Sequence, residues 1–391
     1  MISKTENKIS YEWIETRERL EAVSGILNQS EILGVDLEAD SLHHYFEKVC
    51  LVQIATESVS YVLDPLALKD LSSLGPVFSN PRICKVFHGA DYDIRSLHRD
   101  FGLEVENLFD THLACKFLGF RETGLEAVLR NRFQVEMNKK FQRADWSRRP
   151  LSPPMLEYAA MDGRYLIPLA RILKQELEEK GRLAWVEEEC LYLSRVRFTP
   201  SDFGPLYPKV KGAAQLDPRS LTVLEALLQL REAEARKADR PPFMIVRNES
   251  LLDLALRKPL SLEELGTGKA LSQKQVDRFG SGLLSEIQRA MAIEDEDLLK
   301  APKHLKPVWP SPVHQRIKAL KKWRDRRAEH LELESGILLS NSLINALALK
   351  NPRSLAEMEG IPGLKRWLLD YFGQEILGSL TSQVRVPVKI T

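Results

Sequence analysis

Through the first half of the chain, short apolar runs alternate with amphipathic stretches. Residues 32–37 form an apolar run interrupted by one acid, Asp36. Residues 49–54 and 60–63 are rich in Val, Leu and Ile, and 83–87 is a fourth such run. Runs of this length and composition predict β-strands. Ile94, Leu97 and Phe101 then recur at helical spacing. So do Met155, Tyr158, Ala159, Asp162, Leu166, Leu169, Ile172 and Leu173, which predict one long helix. Pro153 and Pro154 stand where its first turn would begin, a place where the missing N–H has no intrahelical partner to lose. Early strands followed by helices predict a mixed sheet flanked by helices.

Beyond residue 198 the pattern turns helical and Leu-rich. It is broken by two proline-rich stretches, 198–218 and 302–312, which read as linkers. The helical segments repeat each other. A constant offset of 93 places Leu227 on Leu320, Arg231 on Arg324, Ala235 on Ala328, Asn248 on Asn341 and Ala255 on Ala348. The same offset places Pro259 on Pro352, Ser261 on Ser354, Leu262 on Leu355 and Phe279-Gly280 on Phe372-Gly373. A gap-free match of this length predicts two copies of one small all-helical domain. The expected boundaries are 1–205, 214–297 and 311–385.

Composition narrows the class. A chain of 391 residues holds two or three domains at roughly 100–200 residues each. Hydrophobic residues at 43% and charged residues at 28% describe a folded chain, and no apolar run reaches about 18 residues, so no membrane span is expected. The polar N-terminus lacks a basic-then-apolar leader, which makes cytoplasmic residence the expectation. Cys50, Cys84, Cys115 and Cys190 form no C-x-x-C pair, which argues against zinc and against a disulfide framework and predicts buried thiols. The net charge of +1 says little, but from residue 300 onward roughly 16 basic residues face about 8 acidic ones, leaving the rest acidic. An acidic part joined to a basic part tolerates both a metal and a polyanion. The densest cations, Arg316, Lys318, Lys321, Lys322, Arg324, Arg326 and Arg327, read either as a phosphate-tracking patch or as a solvated helix whose Ile317-Leu320-Trp323 stripe packs inward.

Three local constellations carry acids. Asp36 and Glu38, one residue apart on a strand, point to the same face, where they repel unless a cation neutralises them. Hard divalent cations suit such oxygen donors. His88-Gly89-Ala90-Asp91-Tyr92-Asp93 follows the fourth strand; there Asp91 reads as a helix N-cap and Asp93 as a first-turn acid. Tyr158 and Asp162, spaced i and i+4, share one helix face.

These constellations sit inside longer runs. The runs are Gly-Val-Asp-Leu-Glu-Ala-Asp at 34–40, Leu-Val-Gln-Ile at 51–54 and Lys-Val-Phe-His-Gly-Ala-Asp-Tyr-Asp at 85–93. Phe-Asp-Thr at 109–111, Ala-Asp-Trp-Ser-Arg-Arg-Pro-Leu at 144–151 and Tyr-Ala-Ala-Met-Asp at 158–162 complete them. Together they resemble the ribonuclease D-like branch of the DEDD exonucleases, called DEDDy for its tyrosine. Each helical copy resembles an HRDC domain. The resemblance implies an α/β ribonuclease H-like exonuclease domain followed by two small all-α HRDC-like domains. It implies a 3′→5′ exoribonuclease that releases nucleoside 5′-monophosphates with two divalent metal ions, Mg²⁺ or Mn²⁺. By the same resemblance Asp36 bridges both ions, Glu38 and Asp162 hold the one near the nucleophile, and Asp93, favoured over Asp91 by motif spacing, helps hold the other. Tyr158 would orient the attacking water. The implied substrate is RNA with a single-stranded 3′ end, transfer RNA precursors among others, handled by a monomer, with no membrane involved. The candidates for gripping that end are His43, Phe46, Gln53, His88 and Tyr92, with Gln142, Arg143 and Arg148 placed to reach phosphates and Trp146 packing beneath their loop. The readings to be tested against this are a DNA-directed exonuclease and a non-catalytic RNA-binding protein.

Overall fold

Six strands make one sheet: β1 (Tyr11–Ile14), β2 (Ile32–Ala39), β3 (Val49–Ala55), β4 (Ser60–Leu63), β5 (Cys84–Phe87) and β6 (Leu108–Asp110). Their order across the sheet is β1-β4-β3-β2-β5-β6. β1 pairs parallel with β4, β2 with β5 and β5 with β6, while β3 runs antiparallel to β4, so the sheet is mixed, as the sequence predicts. Every residue of β3, β4 and β5 is buried, which explains why these strands read as continuous apolar runs rather than alternating ones. The computed structural model describes residues 11–136, 139–199, 204–267, 270–300 and 309–381.

The long helix expected over 155–173 is two helices, Pro153–Arg164 and Leu166–Glu179. Pro168 accounts for the break: its ring has no N–H to give and would crowd the carbonyl of Arg164. A new helix therefore starts after Tyr165, with Leu169 N–H donating to the Tyr165 carbonyl at 3.1 Å. Ser152 sits at the N-cap ahead of Pro153 and Pro154, where those prolines were expected. Asp91 is not an N-cap. Ala90 holds that place, and the helix begins at Asp91 and ends at Gly102, whose φ of 64° closes it in the left-handed region. All four cysteines are buried.

The repeat is legible residue by residue. The helices Pro242–Ile245 and Asn248–Arg257 correspond at the offset of 93 to Ser335–Leu338 and Asn341–Lys350. Arg231 donates to the Val246 carbonyl and to Asn248 Oδ1, and Arg324 donates to the Leu339 carbonyl and to Asn341 Oδ1. A Cβ on Gly280 would press on Leu262, and one on Gly373 on Leu355. Asp239 and Glu332 both turn the chain at positive φ.

By packing, the chain divides into two units. One comprises residues 1–38, 49–198 and 308–391, and the other residues 39–48 and 199–307. In the first unit, the second helical copy shares a continuous apolar core with the sheet and its helices. Trp185 stacks on Trp367 at 4.9 Å, and Phe117 meets Trp367 edge-on at 5.6 Å. Glu188 accepts from the backbone N–H groups of Arg366 and Trp367, both at 2.7 Å, and so caps the helix that begins there. Glu189 pairs with Lys365 and accepts from the Trp367 indole. Of the dense basic segment, Ile317, Leu320 and Trp323 are buried, which is the inward stripe expected of a solvated helix. The second unit has its own core around Leu224, Leu228, Leu251 and Ile287, with Tyr45 packed against it.

Candidate active site

Along β2 the core residues Val35 and Leu37 alternate with Asp36 and Glu38, which therefore share the opposite face with Gly34. The helix Pro153–Arg164 lies against that face. A Cβ on Gly34 would collide with the carbonyl oxygen of Gly163, whereas one on Gly163 would make only ordinary contact with Ala55. The missing Cβ of Gly34 thus lets strand and helix backbones approach directly, two residues before Asp36 and, at Gly163, one after Asp162. The Asp162 side chain lies outside the described residues.

Tyr158, on the same helix, is held by aromatic rings. Trp146, fully buried, stacks on it with centroids 6.0 Å apart, and Phe141 meets it edge-on at 5.8 Å. Trp146 packs beneath its loop as expected. That loop is locked by Arg149, whose guanidinium grips the buried Asp64 carboxylate with two 2.7 Å bonds and also donates to the carbonyls of Trp146 and Cys50.

Asp93 occupies the first turn of the helix after β5. Burial pushes its carboxyl well above the usual range, and the charges of Asp36 and Asp110 push it further. Burial also raises Asp36, to about 6, against the opposing pull of the Leu37 N–H. Asp36 and Asp93 therefore face each other in a site that penalises their ionisation. Asp91 points elsewhere: it is exposed and pairs with Arg95 at 2.9 Å.

Asp110 was not singled out from the sequence beyond its Phe-Asp-Thr run. Its buried carboxylate accepts from Gly89 and Ala90, both at 2.9 Å, and from His112 at 2.8 Å and Leu113 at 3.3 Å. It thereby caps one helix and fixes the turn that launches the Asp93 helix. Its signal was its place at the end of a strand just before a helix.

The other candidates separate. His88 Nδ1 donates to the Thr111 hydroxyl, which donates to the Phe87 carbonyl; burial lowers the imidazole to about 4 and keeps it neutral. Gln53 is 1% exposed, and among the described residues neither amide atom has a partner. It shares a sheet face with Ala55 and with Ser60, whose hydroxyl donates to the Ala160 carbonyl of the Tyr158 helix. Tyr92, Gln142 and Arg143 are exposed, and Arg148 pairs with Asp145 at 3.0 Å. His43 and Phe46 belong to the segment that packs in the second unit.

Comparison with known proteins places this geometry. Residues 11–178 match the 3′-5′ exonuclease family, and residues 220–287 and 313–380 each match the HRDC domain. The chain is 31% identical to the ribonuclease D of Acidiphilium cryptum over 93% of its own length and 91% of that protein's. It belongs to the ribonuclease D family. The chain is accordingly a 3′→5′ exoribonuclease, a hydrolase of phosphodiester bonds. Its fold matches that of Escherichia coli RNase D, described as an exoribonuclease involved in structured RNA processing, with a TM-score of 0.70 at 25% identity, covering 96% of this chain and 100% of that one. It matches the catalytic core of RRP6 from Trypanosoma brucei at 31% identity and a TM-score of 0.66, over 74% and 83% of the two chains. The yeast exosome exonuclease RRP6 is 32% identical over 74% of this chain, which spans only 42% of that longer protein.

The family uses divalent metals, and the donors of this site fit one. Asp36 and Asp93 are hard oxygen donors whose shared site disfavours two negative charges, which a divalent cation would reverse. Among the described residues no three acids, histidines or cysteines gather into a complete cage. Among the same residues, no helix is long and apolar enough to cross a membrane.

Proposed function

We propose that this enzyme trims RNA from a single-stranded 3′ end, one nucleoside 5′-monophosphate at a time, with transfer RNA precursors as its substrates. The observation that carries this reading is the pair of half-buried acids, Asp36 and Asp93, held in a site that favours neither charge. Asp36, Glu38, Asp93 and Asp162 are the residues that would hold two divalent ions, Mg²⁺ or Mn²⁺. Bound there, such ions supply a metal-activated water as nucleophile and neutralise charge at the phosphate. Tyr158, wedged between Trp146 and Phe141, hydrogen-bonds to the attacking water and fixes its direction. A tyrosine ordinarily loses its proton near pH 10, so it orients rather than deprotonates. Asp110 keeps the turn before Asp93 rigid, and neutral His88 adds no competing charge.

Residues 1–205 form the catalytic domain in this reading, and 214–297 and 311–385 the two modules that bind or position RNA. The enzyme works as a cytoplasmic monomer, for which light scattering should return about 44.6 kDa. A time course on 3′-end-labelled RNA with Mn²⁺ tests the activity. Labelled mononucleotide should appear from the first time point, and the same sequence in DNA should be cut far more slowly. Faster loss of the DNA would establish the DNA-directed alternative, and no loss of a 3′-tailed transfer RNA precursor over hours would establish the non-catalytic one.

A further inference from the structure

The constant offset of 93 lets the two helical copies be compared position by position. In the second copy, the groove between the first and last helices is filled. Trp323 donates its indole N–H to Glu375 at 2.9 Å, Arg327 binds the same carboxylate at 2.6 Å, and the Trp323 ring meets Phe372 at 6.0 Å. In the first copy the corresponding residues are Leu230, Gly282, Glu234 and Phe279. The indole and the carboxylate are gone, and a cavity of about 480 Å³ lies in their place, lined by Leu230, Gly282 and Phe279 and rimmed by Arg231, Lys237 and Arg278.

A second difference concerns Arg231. In the second copy, Arg324 Nε donates to Asp325 at 3.0 Å. In the first copy the matching acid is Glu232, which instead accepts from the Tyr45 hydroxyl at 2.6 Å. Among the described residues, Arg231 Nε is consequently buried without a partner.

The cavity therefore suits a flat apolar body that carries a negative charge. Its volume falls in the range of about 300–1,000 Å³ typical of small-molecule sites. Three cations on its wall and rim outweigh the single acid, Glu234. We infer that the cleft between the first and last helices of the first HRDC copy binds one nucleotide of single-stranded RNA. The base lies against Leu230 and Phe279, and the phosphate meets Lys237 and Arg278. Stacking on an aromatic ring together with backbone cations is how single strands are commonly held without sequence preference. The inference builds on the exoribonuclease reading and names a second place where that enzyme holds its substrate.

The second copy supplies its own test. The double variant Leu230→Trp, Gly282→Glu fills the cleft with the pair already accommodated by the other copy. With EDTA present to stop cleavage, its affinity for a labelled 12-nucleotide single-stranded RNA should fall about tenfold, the order of losing one stacked base. With Mn²⁺, KM should rise by a similar factor while kcat stays at the parent value. Unchanged Kd and KM in a variant that melts like the parent would overturn the inference. If the double variant melts early, Lys237→Glu on the exposed rim takes its place: it should weaken binding several-fold and flatten the salt dependence, and a parental salt slope would overturn the inference equally. AMP separates the two sources of a nucleotide, since AMP held more tightly than the RNA by the parent and lost in the filled variant would assign the cleft to free nucleotide and overturn the RNA assignment. The exoribonuclease reading fails separately, on the metal-loaded parent, if labelled RNA is not shortened at all.

Discussion

Replacing Asp36 with Asn should abolish cleavage and yet make the metal-free protein more stable. The change removes a charge and almost no volume. The Asp36 carboxyl, ordinarily at 3.8, is raised by burial to about 6. At about 1.4 kcal/mol for each pH unit, keeping it ionised at neutral pH costs up to about 3 kcal/mol. Solvent still reaches part of the site and the new amide needs partners of its own, so a gain of about 2 kcal/mol is the reasoned outcome. Domains of this size shift by about 2–4 °C per kcal/mol, which gives a rise of about 5 °C in Tm. The sign follows from linkage. A raised pKa means that the folded state holds the proton more tightly than the unfolded state. The stability from that proton is full below about pH 4 and is lost as pH climbs through 6, so the advantage of the variant should be complete at pH 7.5 and about half as large at pH 5. Thermal melts in EDTA at the two pH values measure this. Mn²⁺ should raise the Tm of the parent and do little for the variant, because only the parent gains on binding. A variant that melts at or below the parental temperature in EDTA at pH 7.5 would refute the claim that Asp36 is held under electrostatic strain.

Asp93→Asn should cost orders of magnitude in kcat, whereas Asp91→Asn, which removes only an exposed pair with Arg95, should stay within about twofold; single-turnover assays on labelled RNA distinguish them. Gly34→Ala should lower activity at least tenfold with RNA affinity kept, since its methyl group meets the Gly163 carbonyl and must push the Tyr158 helix away from Asp36. Arg149→Ala should destabilise the fold by about 3–5 kcal/mol in urea melts, because Asp64 is left buried without its partner. Trp367→Ala should cost about 3–5 kcal/mol by the same measurement, a loss felt by the catalytic body as well as by the second helical copy.

Much of this was legible in the sequence because the signals were redundant. β3, β4 and β5 announced themselves by composition, and the helical repeat by a single constant offset that the structure reproduces down to the Arg–Asn bonds. Asp36 and Glu38 followed from strand alternation alone. The break at Tyr165 was legible too, in Pro168, but the apolar periodicity on either side of it is continuous and hid the boundary. Asp91 misled because any acid at the start of a helix resembles a cap. The distinction from Asp93 lies in which carboxylate turns toward β2, a matter of helix phase rather than residue type. Gly34 and Gly163 looked like ordinary glycines of two separate motifs. Only their mutual contact shows that they set the distance between strand and helix. Asp110 was hidden by serving two structural tasks at once, capping its own helix and holding the turn of another.

The repeat is where sequence similarity and physical role part company. Positions that build the module are shared: the Arg–Asn bond, the glycine against a leucine, the chain reversal at Asp239 and Glu332. Positions on its outside have diverged toward different partners. Lys274 in the first copy corresponds to Trp367 in the second, which stacks on Trp185 and is capped by Glu188. At the reversal itself, the Asp239 carboxylate accepts from the backbone of Tyr45 and Phe46, whereas Glu332 lies against Gly119, whose φ of 86° and missing Cβ permit the contact. The second copy has thus become part of the catalytic body's core, and its basic helix spends its apolar face there. The first copy keeps a separate core and an unfilled cleft. A surface committed to packing cannot also be open to substrate. Of the two copies, the first is therefore the one whose loss should read out in RNA affinity, and the second the one whose loss should read out in the melting of the exonuclease domain.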